Sequence, residues 1–407
     1  MQLFLLLCLA IVAYTYVGYG IVITILVALR RLIKGRRPLP ADDSYTPLVT
    51  LIIPAYNEMD CLPAKLSNSR ALDYPAGQLR FLFVTEGSTD GSTAYLEALR
   101  DAGDPQISVL GGTERAGKVA AMNQAMQHVS TPLVIFSDAN TQLNPRAIRN
   151  LVRHFYDEGV GAVAGEKRIE VFDAEAAAGA GEGLYWKYES YLKRKDAELH
   201  TVVGAAGELF ALRTNLYEPV ETDTLLDDFM ISLRIAGRGY RVEYEPEAYA
   251  LERPSFSIVE EKKRKVRIAA GGFQSIRRLL YLLNGFRYGW LTFQYVSHRV
   301  LRWAVTPFLL PLIWLANLAL VLGIEPLSPL AYGVWVLLFI GQCAFYGAAW
   351  LGYRLEHRQL RVKALFVPFY FTFMNGCAIL GFQRYWRGNT SGIWEKARRA
   401  TDLQLAK

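Results

Sequence analysis

The run LVTLIIP at residues 48–54 decides the fold, together with the run LRFLFVT at residues 79–85. Each run is short, rich in β-branched or aromatic residues and followed by a polar loop, and a helical stretch around residues 62–72 separates them. This is the pattern of a β-α-β unit. The alternation continues, with helices predicted at 93–100 and 118–128 and strands predicted at 107–110 and 132–137. We therefore predict an α/β domain with a mostly parallel sheet and helices on both faces.

The loops that follow these strands contain several carboxylates. In open α/β sheets, ligands bind beyond the carboxyl ends of the strands. Asp138 follows the apolar run LVIFS, and together with Asn140 it offers oxygen ligands of the kind that Mg²⁺ or Mn²⁺ prefers. Asp90 has the simpler interpretation of a helix cap. We expect four loops to converge on one site, at residues 55–60, 86–92, 111–118 and 138–140.

Two further patterns are compatible with phosphate and proton chemistry. The loop GGTERAGK at residues 111–118 nearly matches a phosphate-binding P-loop, but Val119 stands where that motif needs Ser or Thr to hold magnesium. We reject a P-loop, although Lys118 at the start of a helix can still contact phosphate oxygens. Asp227 and Asp228 precede a predicted amphipathic helix, where acidic residues oppose the helix dipole. That effect alone does not require two adjacent acids.

Composition excludes several classes of protein. The chain has 407 residues, of which 52% are hydrophobic, and 45 Lys and Arg residues against 38 Asp and Glu residues give a net charge of +7. It is therefore neither a disordered chain nor a small disulfide scaffold. The four cysteines form no CxxC pair and the five histidines show no HxH or HExxH spacing, which disfavours a metal site built on thiolates or imidazoles.

Apolar and basic segments predict a membrane protein. Residues 3–29 carry no charge and exceed the roughly 20 residues that cross a bilayer as a helix. The basic run RRLIKGRR follows this segment instead of preceding it, so we predict an anchor and not a signal peptide, with the following domain in the cytosol. The basic, aromatic-rich residues 260–302 favour contact with lipid headgroups over nucleic-acid binding.

The predicted organisation combines these segments. The apolar runs at 303–323 and 330–351 form a hairpin, and the run at 364–382 contains Pro and Gly, so that it is either a crossing, a re-entrant or an interfacial segment. The predicted regions are a transmembrane helix at 1–30, a cytosolic domain at 46–253, interfacial amphipathic helices at 254–302, a membrane region at 303–382 and a basic cytosolic tail at 383–407.

The motifs AYNE, EGSTDGS, AGKVAAMN, SDAN, GAAGE, LLDD and RKVRIAAGG occur in this order along the chain. The series resembles the membrane-embedded, inverting family 2 glycosyltransferases, a group that includes cellulose, hyaluronan and chitin synthases. The resemblance covers nearly the whole chain and implies the A-type glycosyltransferase fold. It also implies a nucleotide-sugar donor, a general base and a divalent metal, Mg²⁺ or Mn²⁺.

The resemblance assigns a role to each matching residue. It implies that Asp228 is the general base and that Asp227 is the other member of the catalytic acid pair. Asp138 and Asn140 would hold the metal. The implied donor-binding residues are Pro54, Tyr56, Glu58, Glu86, Lys118 and Asp138. The implied acceptor-binding residues are Gly204, Ala205, Ala206, Gly207, Glu208, Arg264 and Arg267.

Several positions depart from the family pattern. Glu86 and Asn140 stand where the family usually has Asp, and Asn140 retains an oxygen ligand but lacks the charge. The QxxRW motif of processive polymerases aligns with residues 264–268, where Arg267 is retained but both Gln and Trp are missing. A Trp at that position would stack on the acceptor sugar. The tail GNTSGIWEKARR resembles the C-terminal segment of hyaluronan and chitin synthases, which lies on the cytosolic side.

The leading hypothesis is a membrane-bound inverting glycosyltransferase that uses a UDP-sugar to extend an exopolysaccharide or cell-envelope glycan. Two alternatives remain open, a non-processive transferase with a lipid-linked acceptor and a catalytically silent synthase subunit. The expected partners are a nucleotide-diphosphate sugar, a glycan or lipid-linked acceptor, membrane lipid and an accessory synthase subunit, with no nucleic acid. The expected location is the bacterial inner membrane.

Overall fold

The structure is a computed structural model that describes residues 1–37, 45–169, 179–252, 258–357 and 363–388. Residues 389–407, which form most of the predicted basic tail with its GNTSGIWEKARR motif, lie outside the described residues. Eight strands form one sheet in the order β3-β2-β1-β4-β7-β6-β8-β5. They are β1 Val49–Pro54, β2 Leu79–Glu86, β3 Ile107–Gly112, β4 Leu133–Ser137, β5 Gln142–Leu143, β6 Val160–Ile169, β7 Leu209–Arg213 and β8 Arg241–Glu252.

The helices are α1 Gln2–Lys34, α2 Leu62–Arg70, α3 Ser92–Asp101, α4 Lys118–Met126, α5 Ala147–Val152, α6 Gly179–Leu199, α7 Asp227–Gly237, α8 Ile258–Arg278, α9 Trp290–Val321, α10 Pro329–His357 and α11 Lys363–Trp386. Both α1 and α9 contain a π-helical stretch, at Tyr14–Gly18 and Val296–Val305. Single helical turns occur at Ala76–Gln78, Arg153–Tyr156, Thr214–Leu216, Leu280–Leu283 and Gly285–Tyr288.

The sheet is mixed but mostly parallel, as predicted, and its second half includes the parallel pair β6 and β8. Strands β3, β2, β1 and β4 are parallel, whereas β7 is antiparallel to both of its neighbours, β4 and β6. The cause lies in α6, which leaves the sheet at the edge where β4 and β6 end and returns the chain to the same edge. Because β7 begins there, with Leu209 opposite Ser137, the loop that precedes β7 lies beside the carboxyl end of β4.

Apolar side chains alternate between the two faces of the sheet and build a core on each. Leu51 and Ile53 of β1 face one core, whereas Ile52 faces the other. The first core is completed by α2, α3 and α5, and the second by α4 and α7. Each large buried aliphatic side chain contributes about 1.5–3 kcal/mol to stability. The helices on both faces agree with the predicted layering.

Within the described residues, four helices are long and apolar enough to cross a membrane. They are Gln2–Lys34, Trp290–Val321, Pro329–Leu355 and Ala364–Trp386. The second begins at Trp290, inside the region predicted to be interfacial. The last is a continuous helix without the break that a re-entrant segment requires. Its Asn375 stays within the helix because its amide donates to the Phe371 carbonyl at 2.9 Å and its oxygen accepts from the Tyr16 hydroxyl at 2.8 Å.

A buried ionic cluster joins the α/β domain to the apolar helices. On α6, the Glu189 carboxylate contacts Arg299 at 2.7 Å and Arg302 at 2.9 Å, both from α9. About two turns farther along α6, Asp196 contacts His298 of α9 at 2.5 Å and accepts a hydrogen bond from the Tyr19 hydroxyl of α1 at 2.5 Å. These contacts join the α/β domain and the apolar helices through one buried cluster.

Candidate active site

A cavity of about 110 Å³ lies beyond the carboxyl ends of β1, β2 and β4. All of the predicted donor-binding and metal-binding residues line it. They are Pro54, Tyr56, Glu58, Glu86, Lys118, Asp138 and Asn140, and Arg115 and Gly117 complete the polar part of the wall. The four loops expected to converge therefore contribute to one cavity.

The first two loops are held together by hydrogen bonds from short polar side chains. Asn57 adopts a left-handed backbone with φ 51°, and its side-chain oxygen accepts from the Thr89 amide at 2.8 Å. Asp90 accepts from the amides of Met59 at 2.9 Å and Ser92 at 3.0 Å. The cap position of α3 is Gly91, and Asp90 instead accepts from the first amide of the helix and ties the first loop to the second.

One wall of this cavity combines an aromatic ring, a cation and a carboxyl group. The Arg115 guanidinium lies 3.9 Å from the centre of the Tyr56 ring. Glu86 has one buried carboxyl oxygen, Oε2, with no hydrogen-bond partner among the described residues. Burial raises the pKa of Glu86, while the backbone N–H of Ala116 lowers it. An acceptor left unsatisfied at this depth is costly unless a ligand supplies a donor.

Lys118 connects the predicted metal site to the predicted catalytic acids. Its ammonium lies 2.8 Å from Asp138 Oδ1 and 3.6 Å from Asp227 Oδ2. Burial lowers the pKa of Lys118, but the charges of Asp138 and Asp227 outweigh it and raise the pKa overall. The lysine is therefore charged at every physiological pH. Burial raises the pKa of Asp138, and the Lys118 charge opposes this effect.

Asp228 lies against the acceptor loop predicted at residues 204–208. A methyl group in place of a Gly207 hydrogen would lie 3.3 Å from Asp228 Oδ2, so the backbone of this loop is in contact range of the carboxylate. Burial, and then the negative charge of Asp227, raise the pKa of Asp228 to about 7. A carboxylate with such a pKa can exchange protons near neutral pH.

A chain of polar contacts links the acceptor loop to Asn140. Lys167 donates to Glu208 at 2.5 Å and also contacts Glu252, which accepts from the Asn140 amide at 3.4 Å. Burial raises the pKa of Glu208, but the Lys167 charge and hydrogen bond prevail and lower it to about 2. Sequence reasoning missed Lys167 and Glu252. The available signal was that each lies near the carboxyl end of its strand, β6 or β8.

A larger cavity of about 630 Å³ begins at Asp228 and the acceptor loop and extends between α6, α8, α9 and α11. Its polar lining near Asp228 includes Lys167, Glu208, Arg264 and Lys265. Its remaining wall is largely aromatic and apolar and includes Trp186, Trp303, Phe366, Val367, Tyr370, Phe371 and Met374. The cavity thus connects the predicted base Asp228 with the apolar helices.

The predicted acceptor residues do not all line this cavity. Ala205, Ala206, Gly207, Glu208 and Arg264 do, whereas Gly204 packs against Phe229. Arg267 is absent from the lining, and its pKa is lowered to about 10 by burial but supported by the charge of Asp227. Arg267 therefore lies within the electrostatic influence of Asp227. At the position of the missing QxxRW tryptophan, Ile268 faces the cavity.

The chain is similar to known glycosyltransferases in sequence. Residues 50–219 match the Glycosyl transferase family 2 domain. A poly-β-1,6-N-acetyl-D-glucosamine synthase of Staphylococcus aureus is 26% identical over 235 residues, which are 56% of this chain and 56% of that one. An N-acetylglucosaminyltransferase of Mesorhizobium japonicum is 26% identical over 296 residues, or 69% of this chain and 67% of the relative. The chain thus aligns with little more than half the length of the synthase.

The fold is shared with a solved structure over nearly the whole chain. The mannosyltransferase PcManGT from Pyrobaculum calidifontis, solved with GDP-Man and Mn²⁺, superposes with a TM-score of 0.69 at 23% identity. The match covers 94% of this chain and 98% of that protein, so it includes the helices that flank the α/β domain. The sequence match identifies the domain and the superposition gives the A-type fold. Residues 50–219 are therefore a Glycosyl transferase family 2 domain.

Proposed function

We propose that the protein transfers a sugar from a UDP-sugar to a hydroxyl group of a growing glycan, with inversion at the anomeric carbon. One observation carries the proposal: Asp228, whose pKa is raised to about 7, lines the large cavity that leads to the apolar helices, and its neighbour Asp227 lies 3.6 Å from the Lys118 ammonium, which lines the small cavity at the strand ends. Donor and acceptor would approach the carboxylate from opposite sides. Such an arrangement suits direct displacement.

The small cavity offers the contacts that a nucleoside diphosphate needs. The unsatisfied Glu86 oxygen can accept an N–H from the base, and Tyr56 with its Arg115 partner provides a stacking surface. The diphosphate would lie near Lys118, whose charge opposes that of the phosphates. We take N-acetylglucosamine as the first sugar to test, because both sequence relatives described above carry that sugar in their names.

The residues at the end of β4 fit a divalent cation. Within the described residues, no group of three or more His, Cys, Asp or Glu side chains could hold a metal by itself. A Mg²⁺ or Mn²⁺ ion held by one carboxylate, one amide oxygen and the substrate phosphates does not need such a group. Asp138 and Asn140 supply these two oxygen ligands, and the neighbour PcManGT contains Mn²⁺. The bound ion would neutralise charge on the departing diphosphate.

The protein's own side chains account for the proton and the leaving group. Asp228 would take the proton from the acceptor hydroxyl while that oxygen bonds to the anomeric carbon. The bond from this carbon to the phosphate oxygen breaks in the same step, and its electrons leave with the nucleoside diphosphate. Lys118 would balance the charge that develops there, since it already lies between Asp138 and Asp227. These retained groups disfavour the silent-subunit alternative.

A second acceptor class is supported by the wall of the large cavity. Phe366, Val367 and Phe371 belong to α11, a helix long enough to cross a membrane, and Val367 is 54% exposed. An acceptor with a polar head and an apolar tail, such as a lipid-linked sugar, would find matching surfaces at the two ends. The lipid-linked acceptor is therefore the second candidate, beside a polymer made in the bacterial inner membrane with an accessory subunit.

The topology that we propose places the α/β domain at the cytosolic face. The basic run after α1 supports this orientation through the excess of positive charge on cytosolic segments. A nucleotide sugar made in the cytosol would then reach the small cavity directly. Labelling of single cysteines introduced at exposed positions of the α/β domain, in intact cells and in inverted vesicles, tests this orientation.

The test of the function is release of nucleoside diphosphate by the full-length protein in detergent with native lipid. A panel of nucleotide sugars is compared with Mg²⁺, with Mn²⁺ and with EDTA, for the wild type, Asp228→Asn and the surface control Asp101→Asn, whose carboxyl is 66% exposed. We expect release from one donor, loss in Asp228→Asn and no change in Asp101→Asn. Equal release by wild type and Asp228→Asn would contradict the proposal. Product length separates the polymer from a single addition to a lipid.

A further inference from the structure

Lys65 lies on α2, directly beneath the turn that carries Asp138 and Asn140. Its side chain is 1% exposed, and its ammonium donates to Ser137 Oγ at 2.8 Å, to the Thr141 carbonyl at 3.0 Å and to Thr141 Oγ1 at 3.3 Å. The three acceptors use the full donor capacity of an ammonium group. Lys65 therefore contacts the residues on either side of the two proposed metal ligands.

The turn itself closes around this ammonium. The Thr141 hydroxyl donates to the Asp138 carbonyl at 2.9 Å and lies 3.2 Å from the Ser137 hydroxyl. Farther along the segment, Asn68 of α2 exchanges two hydrogen bonds with the Leu143 backbone, both at 2.8 Å. One face of α2 thus holds both ends of residues 137–143, and the position of Asp138 and Asn140 depends on it.

Burial of the Lys65 ammonium costs solvation free energy. Its acceptors are neutral oxygens, and among the described residues no carboxylate contacts its ammonium. Burial lowers the pKa of Lys65 to about 7, and the nearby charge of Asp138 opposes this effect. Removing the ammonium would leave the oxygens of Ser137 and Thr141 without their donor, so the cost of the change falls on the turn beside Asp138. The amine therefore fixes this turn.

We propose that Lys65 is a positioning residue for the metal and the donor diphosphate, acting through Ser137 and Thr141 on the turn that presents Asp138 and Asn140. The inference rests on the proposed function, because it assumes that this turn binds a metal–diphosphate unit. The inference also bears on Asn140, which stands where the family usually has Asp. A metal site with one carboxylate instead of two depends more strongly on the exact placement of its remaining ligands. Outer-shell groups of this kind typically change metal affinity or activity by about 10–100-fold when removed.

The test compares wild type with Lys65→Met, which keeps the length and most of the volume of the side chain. Binding of Mn²⁺ in the presence of UDP is measured on the full-length protein by the electron paramagnetic resonance signal of free Mn²⁺. We expect the Kd for Mn²⁺ to rise about 10–100-fold in folded Lys65→Met, with a lower unfolding midpoint because three buried oxygens lose their donor. Activity, once the donor is known, should return when Mn²⁺ is raised, because the catalytic acids are intact.

Two further variants keep the result interpretable. Lys187→Met makes the same substitution at an exposed position of α6 and should bind Mn²⁺ like the wild type. Ser137→Ala removes one acceptor while leaving the ammonium, and should weaken binding in the same direction by a smaller factor. It also decides the question if Lys65→Met fails to fold, since unchanged Mn²⁺ affinity in folded Ser137→Ala would then overturn the proposal.

The outcomes separate this inference from the function on which it rests. If the wild type binds UDP with Mn²⁺ and folded Lys65→Met binds them equally well, Lys65 has no positioning role and the proposed function is unaffected. If the wild type binds no nucleoside diphosphate with Mn²⁺, the proposed function and the inference both fail. Weaker Mn²⁺ binding in both Lys65→Met and Ser137→Ala, with Lys187→Met unchanged, supports the positioning role.

Discussion

Gly204→Ala should destabilise the protein much more than the same substitution at Gly239. Gly204 has φ +95° and Gly239 has φ +94°, so alanine meets the same backbone penalty at both, about 1–2 kcal/mol. The surroundings differ, because a methyl group at Gly204 would lie 2.3 Å from Phe229 Cδ2, whereas at Gly239 nothing lies within 4 Å. Overpacking of this kind typically costs a further ~1–3 kcal/mol.

The assay is thermal unfolding of the purified full-length variants in detergent, with residual activity measured in parallel. The extra cost corresponds to a midpoint roughly 2–10 °C lower for Gly204→Ala than for Gly239→Ala in a domain of this size. Because Phe229 follows the catalytic base directly, we also expect Gly204→Ala to lose activity before it unfolds. Equal midpoints for the two variants would refute the packing argument and return Gly204 to the role expected from sequence, that of giving the acceptor room.

Three further predictions concern the titrating groups of the site. Since Asp228 must be ionised to accept a proton, kcat/KM should rise with pH through about 7. Asp227→Asn should move the midpoint of this rise to lower pH, because it removes a neighbouring negative charge. An identical pH profile in the variant contradicts the assignment of this pKa to Asp228. The pKa of Glu208 is lowered to about 2 in the folded protein, so this pair contributes stability above the pKa of the unfolded state and loses it as pH falls toward 2. Glu208→Gln should therefore weaken the pH dependence of the unfolding free energy between these two values, measured by denaturant unfolding. An unaltered pH dependence would argue against the Lys167 pair. Glu86→Gln should raise the Kd for UDP about tenfold if the carboxylate accepts a base N–H, because the amide can turn its donors toward the ligand; calorimetry that finds equal affinities excludes this contact.

The first half of the domain could be predicted from sequence because its signals are local. Each apolar run, such as that before Asp138, ends in a polar loop, and parallel strands bring those loops to one edge. The convergence of these loops on one cavity therefore follows from strand ends alone, whereas the role of each residue there was implied by the family resemblance. The antiparallel β7 could not be predicted in this way, since its direction depends on where α6 returns the chain to the sheet.

The missed residues have partners that are distant in sequence. Lys65 lies 72 positions from Ser137, and Lys167 lies 85 positions from Glu252, so no local pattern marks either contact. The predicted apolar segment begins at residue 303, whereas α9 begins at Trp290, for a related reason. Its first turns contain His298, Arg299 and Arg302, which lower the local hydropathy although all three are buried against α6. Hydropathy reports transfer into lipid, whereas these side chains are buried in protein.

The contacts of α1 have a consequence for the way the chain is made. Tyr19 finds its partner Asp196 only 177 positions later, and Tyr14 meets Ser297 across 283 positions. At a synthesis rate of roughly 5–20 residues per second, α1 waits about 10–60 s for these surfaces to leave the ribosome. During that interval Asp196 also lacks His298, so the α/β domain cannot close its buried ionic cluster. The α/β domain therefore closes its buried ionic cluster only after α9 has been made, and a chain interrupted before α9 lacks partners for both α1 and α6.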